Sequence, residues 1–174
     1  MRWLFMLLPI ILSLPLMGGD GKPVAERSVP EVVRTAATKA LPDARKLEFR
    51  LLGQGNYLGQ AATGRDPKSV EIQPDGSLVR TSEPVSAPPQ VVVKRFEAAL
   101  SEKKIKGQPR GWRLVTESAT GKKHYETLVS ANRSIHEIVV SEDGTSATVS
   151  VVESRLDDGS GLRVKVSKGG SIER

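Results

Sequence analysis

The sequence predicts an α+β protein made of two repeats, each a helix followed by an antiparallel meander, with the helices packed on one face of the sheet. Residues 124–154 contain three consecutive strands, with alternation at Tyr125, Thr127 and Val129 and a turn at Glu142-Asp143-Gly144. Such a meander buries only one of its faces, so it needs covering helices. The sequence supplies two helical patterns upstream of this segment.

The N-terminal residues are typical of a secretory signal peptide. Arg2 precedes an apolar run from Trp3 to Met17, and the small residues Gly18-Gly19 follow it. This run is shorter than the ~20 residues of a membrane-spanning helix. We therefore predict a signal peptide over 1–19, an N-terminal tail over 20–28 and no stable membrane span after cleavage. Retention of the segment as an anchor is the alternative.

Composition narrows the class of protein further. The chain of 174 residues has no cysteine, which excludes disulfides, thiolate metal sites and cysteine nucleophiles. Its net charge is +6, and Arg2 is the only charge in the first 19 residues, so cleavage would leave +5. Aromatic residues are scarce, and nucleic-acid binding is not expected. These features indicate a periplasmic or secreted protein whose stability comes from its core.

The first repeat is assigned to residues 29–84. Ser28 and Glu31 form a capping-box pattern, apolar residues recur at Val33 and Ala37, and Pro42 ends the helix. Four strand patterns follow, which start near Leu47, Tyr57, Val70 and Leu78. Residues 82–89 are rich in proline and small residues and indicate a linker or the entry to a helix.

The second repeat is assigned to residues 85–174. A helix is predicted from Pro89 to Lys104, with Val92, Phe96, Ala99 and Leu100 on one face. The basic loop over 106–111 leads into a strand that starts at Trp112. After the meander, residues 156–161 predict the turn of an additional C-terminal hairpin.

The two halves align with an offset of 68 residues. Tyr57 then matches Tyr125, Val70 matches Ile138, and Asp75-Gly76 matches Asp143-Gly144, while Leu47 falls on Val115. The order of elements is the same in both halves. This pattern favours an internal duplication, and coincidence between common strand and turn residues is the alternative.

These features resemble the PepSY-like family, whose domains have the fold of beta-lactamase-inhibitor proteins. The resemblance rests on the export segment, the repeated helix-plus-strands order, the strand that begins Tyr125-Glu126-Thr127 and the turn at Asp143-Gly144. The first repeat differs, with Tyr57-Leu58-Gly59 in place of a Tyr-Glu pair. The resemblance implies an exported, non-catalytic module that binds another exported protein, and it offers no catalytic residues.

Five residues are the predicted binding residues. Trp112 is either a core anchor or an exposed aromatic, and in the second case it would share a sheet face with Tyr125. Tyr57 is the counterpart of Tyr125 in the first repeat. Arg110 and Arg113 flank Trp112. We expect the uncovered sheet face to be the docking surface, because antiparallel sheets often leave one face to solvent.

Catalysis and metal binding have weaker support. His124 and His136 flank one predicted turn, and with Glu126 they could hold a metal or serve a metal-dependent hydrolase. No close-spaced ligand pair and no nucleophile elbow is present. We therefore predict no cofactor, no metal and a non-enzymatic function in protein binding. An envelope-associated structural protein that binds anionic polymer is the alternative, and the sequence does not define the oligomeric state.

Overall fold

One antiparallel sheet organises the described part of the chain, which in this computed structural model comprises residues 21–62, 67–131 and 133–154. Within these ranges the sheet has nine strands, which neighbour one another in chain order. The strands are β1 (Gly21–Val24), β2 (Leu47–Leu52), β3 (Tyr57–Ala61), β4 (Ser69–Ile72), β5 (Leu78–Val85), β6 (Trp112–Glu117), β7 (Lys123–Ala131), β8 (Ser134–Ser141) and β9 (Ala147–Ser154). The helices are α1 (Glu31–Ala40) and α2 (Gln90–Glu102). The predicted α+β class with an antiparallel sheet is confirmed.

The start of α1 differs from the prediction. The helix begins at Glu31, with Pro30 at the capping position and no side-chain hydrogen bond to the first turn. Ser28 lies in a short 3-10 turn instead, so the capping box does not form. A proline is compatible with this position because the first amides of a helix have no intrahelical partner.

Each helix covers its own hydrophobic cluster. Val33 and Ala37 of α1 pack with Phe49 and Val70, in the cluster of the first half. These side chains lie on one stripe of the helix, at the spacing that brings neighbouring turns to the same surface. Burial of this apolar area is the main favourable term for the helix, since a segment of ten residues has little helical stability alone.

The cluster of the second half contains larger side chains. Phe96 of α2 meets Trp112 edge to face, with ring centroids 5.0 Å apart and an interplanar angle of 72°. Val92 and Ala99 flank Phe96 on the same helix face, and Ile138 is buried below them. Edge-to-face pairs of this kind add to the energy of area burial. The aromatic pair is therefore a main anchor of α2.

The two Asp-Gly turns hold the first turns of the helices. Gly76 has a φ of 90° and Gly144 a φ of 69°, which side-chain-bearing residues rarely adopt. A Cβ at Gly144 would lie 2.7 Å from the Val91 carbonyl oxygen, and one at Gly76 would lie 3.2 Å from that of Val32. Glycine is thus required both for the turn and for the close approach of the helix.

Three segments differ from their predicted boundaries. Residues 20–28 were expected to be a tail, but β1 lies there and pairs with β2. The predicted linker over 82–89 is shorter, because β5 continues to Val85 and pairs with β6. The turn residues 63–66, the signal segment over 1–19 and the hairpin over 156–166 lie outside the described residues.

We expect Phe96→Ala to lower the free energy of unfolding by about 3–5 kcal/mol, because it leaves a cavity beside Trp112. Urea unfolding measures this change. Val91→Ala on the same helix is the control: its side chain is 52% exposed, and the loss should stay within about 0.5 kcal/mol. Equal losses for both variants would contradict the assigned packing.

A second prediction concerns acid pH. Hydrogen bonds from Ser141 and Thr145 lower the pKa of Asp143 from its ordinary 3.8 to about 2. Because the folded pKa lies below the unfolded one, the carboxylate stabilises the turn above pH 3.8, and this contribution is lost as the pH falls through about 2. An NMR titration should place the midpoint near 2, whereas a midpoint near 3.8 would contradict the turn geometry.

Candidate functional site

A layer of charged and polar side chains lies on the side of the central strands that faces away from the hydrophobic clusters. Glu71 stands between the core residues Val70 and Ile72, so the strand alternation turns its side chain to the other side of β4. The same alternation places Arg113 and Glu126 on that side of β6 and β7. We call this layer the polar face. Its charged and polar members are Ser69, Glu71, Arg80, Ser82, Arg113, His124, Glu126 and Glu137, and the buried Val115 lies among them.

Most of these side chains are buried, although they are charged. Glu71 and Glu126 are each 1% exposed, and Arg80, Arg113 and Glu137 are also buried. Charges are rarely buried in proteins unless they are paired, because loss of hydration costs several kcal/mol for each ion. The polar face is therefore an ordered network of charges, and it differs from an ordinary solvated sheet surface.

Glu71 is the first centre of this network. Its Oε2 lies 2.7 Å from Nη2 of Arg80, directly across from it on β5. Its Oε1 accepts hydrogen bonds from Nε2 of Gln54 at 2.9 Å and Nδ2 of Asn56 at 2.7 Å. Both amides belong to the turn between β2 and β3. The Glu71 carboxylate thereby connects that turn to β4.

Arg113 is the second centre. Its Nε donates to Oγ of Ser82 at 2.7 Å, and its Nη2 donates to the carbonyl oxygen of Pro67 at 2.8 Å. Nη2 also lies within hydrogen-bond distance of Oγ of Ser69, at 3.3 Å. A guanidinium group suits this position because its planar set of donors serves several acceptors at once. One side chain of β6 thus contacts both β5 and the segment that leads into β4.

His124 and Glu126 form the third centre, on β7. The imidazole Nε2 lies 2.9 Å from Oε1 of Glu126, and His124 itself is 19% exposed. Glu126 is also the cross-strand partner of Arg113. The carboxylate fixes the orientation of the ring at the edge between the buried network and solvent.

The two histidines of the predicted metal site lie on different sides of the sheet. His136 pairs with the core residue Val129, so it is on the side of the hydrophobic clusters. His124, with Glu126, is on the polar face. This geometry contradicts a shared site. Over the described ranges, no group of three metal-ligating side chains forms.

Two of the predicted binding residues belong to the core. Trp112 and Tyr125 are each 8% exposed and lie in the cluster under α2, so Trp112 is the core anchor that the sequence offered as one alternative, and the exposed aromatic pair on an open face does not form. Tyr57 is half-buried against the cluster under α1. Strand alternation explains the difference: the aromatic residues share their sides with core valines and isoleucines.

The two predicted arginines separate. Arg113 lies on the polar face, as described above. Arg110 is exposed in the loop before β6, and its backbone N–H donates to the carbonyl oxygen of Leu128 at 2.9 Å. The sequence interpretation missed Glu71 and Arg80, and it named Glu126 only as a candidate ligand beside His124. The signal for Glu71 was a charged residue between the apolar residues Val70 and Ile72, which usually indicates solvent exposure.

We expect Arg80→Met to lower the free energy of unfolding by about 3–5 kcal/mol, because it leaves Glu71 buried without its cation. The double variant Glu71→Leu with Arg80→Met should lose less than this single variant, since no charge is then left unpaired. Equilibrium unfolding in urea measures both. The exposed pair Lys68–Glu83, 3.3 Å apart, provides the control: Lys68→Met should cost under about 1 kcal/mol. Similar losses for Arg80 and Lys68 would refute the buried pair.

The chain matches no protein-family model, and no curated protein matches it significantly.

Several solved structures share its fold. A protein from Bacteroides eggerthii DSM 20697, described as periplasmic, has a TM-score of 0.59 at 16% identity, and the match covers 71% of this chain and 89% of that one. A DUF2874 family protein from Bacteroides ovatus ATCC 8483 has a TM-score of 0.57 at 16% identity, over 71% of this chain and 87% of its own.

A BLIP-like protein from Bacteroides fragilis NCTC 9343 is also similar, with a TM-score of 0.56 at 14% identity, over 74% of this chain and 89% of its own. At these identities the likeness concerns the fold. The chain is therefore similar in fold to DUF2874 family proteins and to a BLIP-like protein, which supports the beta-lactamase-inhibitor-like architecture that the sequence resemblance implied.

Proposed function

We propose that this chain is an exported, non-catalytic binding module that docks a protein partner through the polar face. The observation that carries the proposal is the preorganised network of buried charges on that face. Glu71 and Arg113 already have partners within the fold, so they hold the strands of that face in fixed positions, and this lowers the entropy cost of binding. The exposed groups around the network would make the direct contacts.

We also infer that the chain is a tandem repeat whose two helices lie on one face of the sheet. The register supports a common face. Val70 pairs with Thr81, which pairs with Thr116, so these three side chains lie on one side of the sheet. Leu114 is on the same side as Thr116 and pairs with Tyr125, so the two clusters share this side. The two glycine turns that hold Val32 and Val91 support the repeat. The offset of 68 relates β3–β5 to β7–β9, because Tyr57 pairs with Ile72 as Tyr125 pairs with Val140.

The offset does not extend to the first strand of each unit. Leu47 lies on the side of the clusters, whereas Val115 is fully buried on the polar face, so these two residues are not equivalent. Leu51 pairs with Tyr57 as Leu114 pairs with Tyr125. An offset of 63 therefore relates β2 to β6. The change from 63 to 68 lies between β6 and β7, because Leu114 and Tyr125 are farther apart in the chain than Leu51 and Tyr57.

Two observations support export. The N-terminal segment has the composition of a secretory signal, and one structural neighbour is described as periplasmic. No helix within the described residues is long and apolar enough to cross a bilayer. We propose a location in the periplasm or outside the cell, and a partner that is itself an exported protein.

The hydrogen bonds of the polar face support a non-catalytic role. Ser141 lies opposite His124 in the register, which would suit a nucleophile and a base. Its hydroxyl, however, donates to Asp143 at 2.7 Å and belongs to the Asp-Gly turn. The Ser82 hydroxyl accepts from Arg113. Both hydroxyls thus have structural partners.

Capture experiments with the full chain test the docking face. The test bait carries Val139→Arg and Thr148→Arg. These two residues are paired across β8 and β9 and lie on the side of the polar face. The control bait carries Val32→Arg and Thr35→Arg on α1, both at exposed positions, and so makes the same chemical changes. Each bait is incubated with the extracytoplasmic fraction of the organism that encodes the protein.

We expect the wild type and the control to retain the same protein and the β8–β9 variant to lose it by at least about tenfold, because two added cations and their bulk disturb a complementary surface. Quantitative mass spectrometry of the retained proteins gives the readout. Equal loss with the α1 control, or no captured protein with the wild type, would refute docking through this face.

A further inference from the structure

The connection between α2 and β6, residues 103–111, forms a basic loop. Lys103, Lys104, Lys106 and Arg110 are all exposed, and the loop contains no acidic residue. Glu102, which immediately precedes it, pairs with Arg95 on the same helix at 2.8 Å. The loop is thus a concentrated and uncompensated positive region.

The fold itself does not require such a loop. The corresponding connection between α1 and β2 spans only residues 41–46, and it mixes Asp43 with Arg45 and Lys46. The connection in the second half is longer and purely basic. Cations near a helix C-terminus favour the helix dipole, which accounts for Lys103 and Lys104. It does not account for Lys106 and Arg110, farther along the loop.

The backbone of the basic loop is tightly held. Ile105 is 9% exposed, and its N–H donates to the Leu100 carbonyl oxygen at 2.9 Å. Gly107 lies against β7 so closely that a Cβ would come 2.5 Å from Cγ1 of Val129. Pro109 forms a bridge with the same valine. These anchors fix the chain and direct the cationic side chains outward.

All these cations lie at one end of the sheet. The basic loop runs beside the end of β7, and the turn between β7 and β8 adds the exposed Arg133 there. The result is a compact basic tip. Single-stranded nucleic acids are usually bound along extended grooves with aromatic residues on which the bases stack, and the basic loop has no aromatic residue. A tip with flexible lysine side chains suits a flat, densely charged surface better.

We propose that the basic loop binds the surface of a membrane that contains anionic phospholipids. Lysine and arginine residues near such a surface each add attraction that salt weakens, and several together produce reversible peripheral binding. The interaction would orient the domain with its basic tip on the lipid headgroups. It is independent of the proposed protein docking, which uses a different part of the sheet.

Vesicle sedimentation with the full chain tests the proposal. Phosphatidylcholine vesicles are compared with vesicles that also contain phosphatidylglycerol, at low and at moderate salt. Binding to the neutral vesicles measures any contribution from the apolar segment 3–17. The test variant carries Lys103→Gln, Lys104→Gln and Lys106→Gln. The control carries Lys22→Gln, Lys39→Gln and Lys46→Gln, which are exposed in the first half and lower the net charge equally.

We expect the excess binding to anionic vesicles to fall at least about tenfold in the test variant and at moderate salt, and to change much less in the control. Circular dichroism and urea unfolding confirm that both variants are folded. Equal loss in the two variants would show that only net charge matters and would overturn the proposal. Retention by soluble polyphosphate without vesicle binding would assign the loop to a polymer and would also overturn it.

Discussion

The alternation of side chains along the central strands is the constraint on which both the core and the polar face depend. In the segment Val70-Glu71-Ile72, two residues must lie in the hydrophobic cluster, so the carboxylate between them must point the other way. That side is also buried. An isolated buried charge would cost several kcal/mol, and the sheet is stable only if a cation such as Arg80 is placed opposite.

The polar network also connects the two halves of the sheet. Arg113 lies on β6, at the start of the second half, and it bonds to Ser69 and Pro67 in the first half. Its hydrogen bond to Ser82 joins β6 to β5, the two strands at which the halves meet. A face held in this way resists bending between the halves. Rigidity of this kind reduces the entropy cost of binding and suits a docking surface.

The two hydrophobic clusters are packed with different side chains. In the first half, the small Ala37 of α1 lies close to the sheet and packs with Phe49. In the second half, Phe96 of α2 meets Trp112. The larger pair fills more space, and the basic loop that follows α2 is also longer. The part of the chain that follows α2 thus carries the additional charged surface.

The class of the fold follows from the amino-acid pattern alone. Strand patterns located eight of the nine strands in the described residues, Asp-Gly pairs marked two turns, and helical patterns located α1 and α2, because these signals depend on local geometry. The strand β1 was missed, since four residues with glycine and proline carry no alternation. The burial of polar residues, by contrast, depends on contacts between distant parts of the chain. Glu71 looks like a solvent-facing residue in its strand, and its burial depends on Arg80 and Gln54, which other elements bring to it. Glu126 is buried opposite Arg113 of the neighbouring strand.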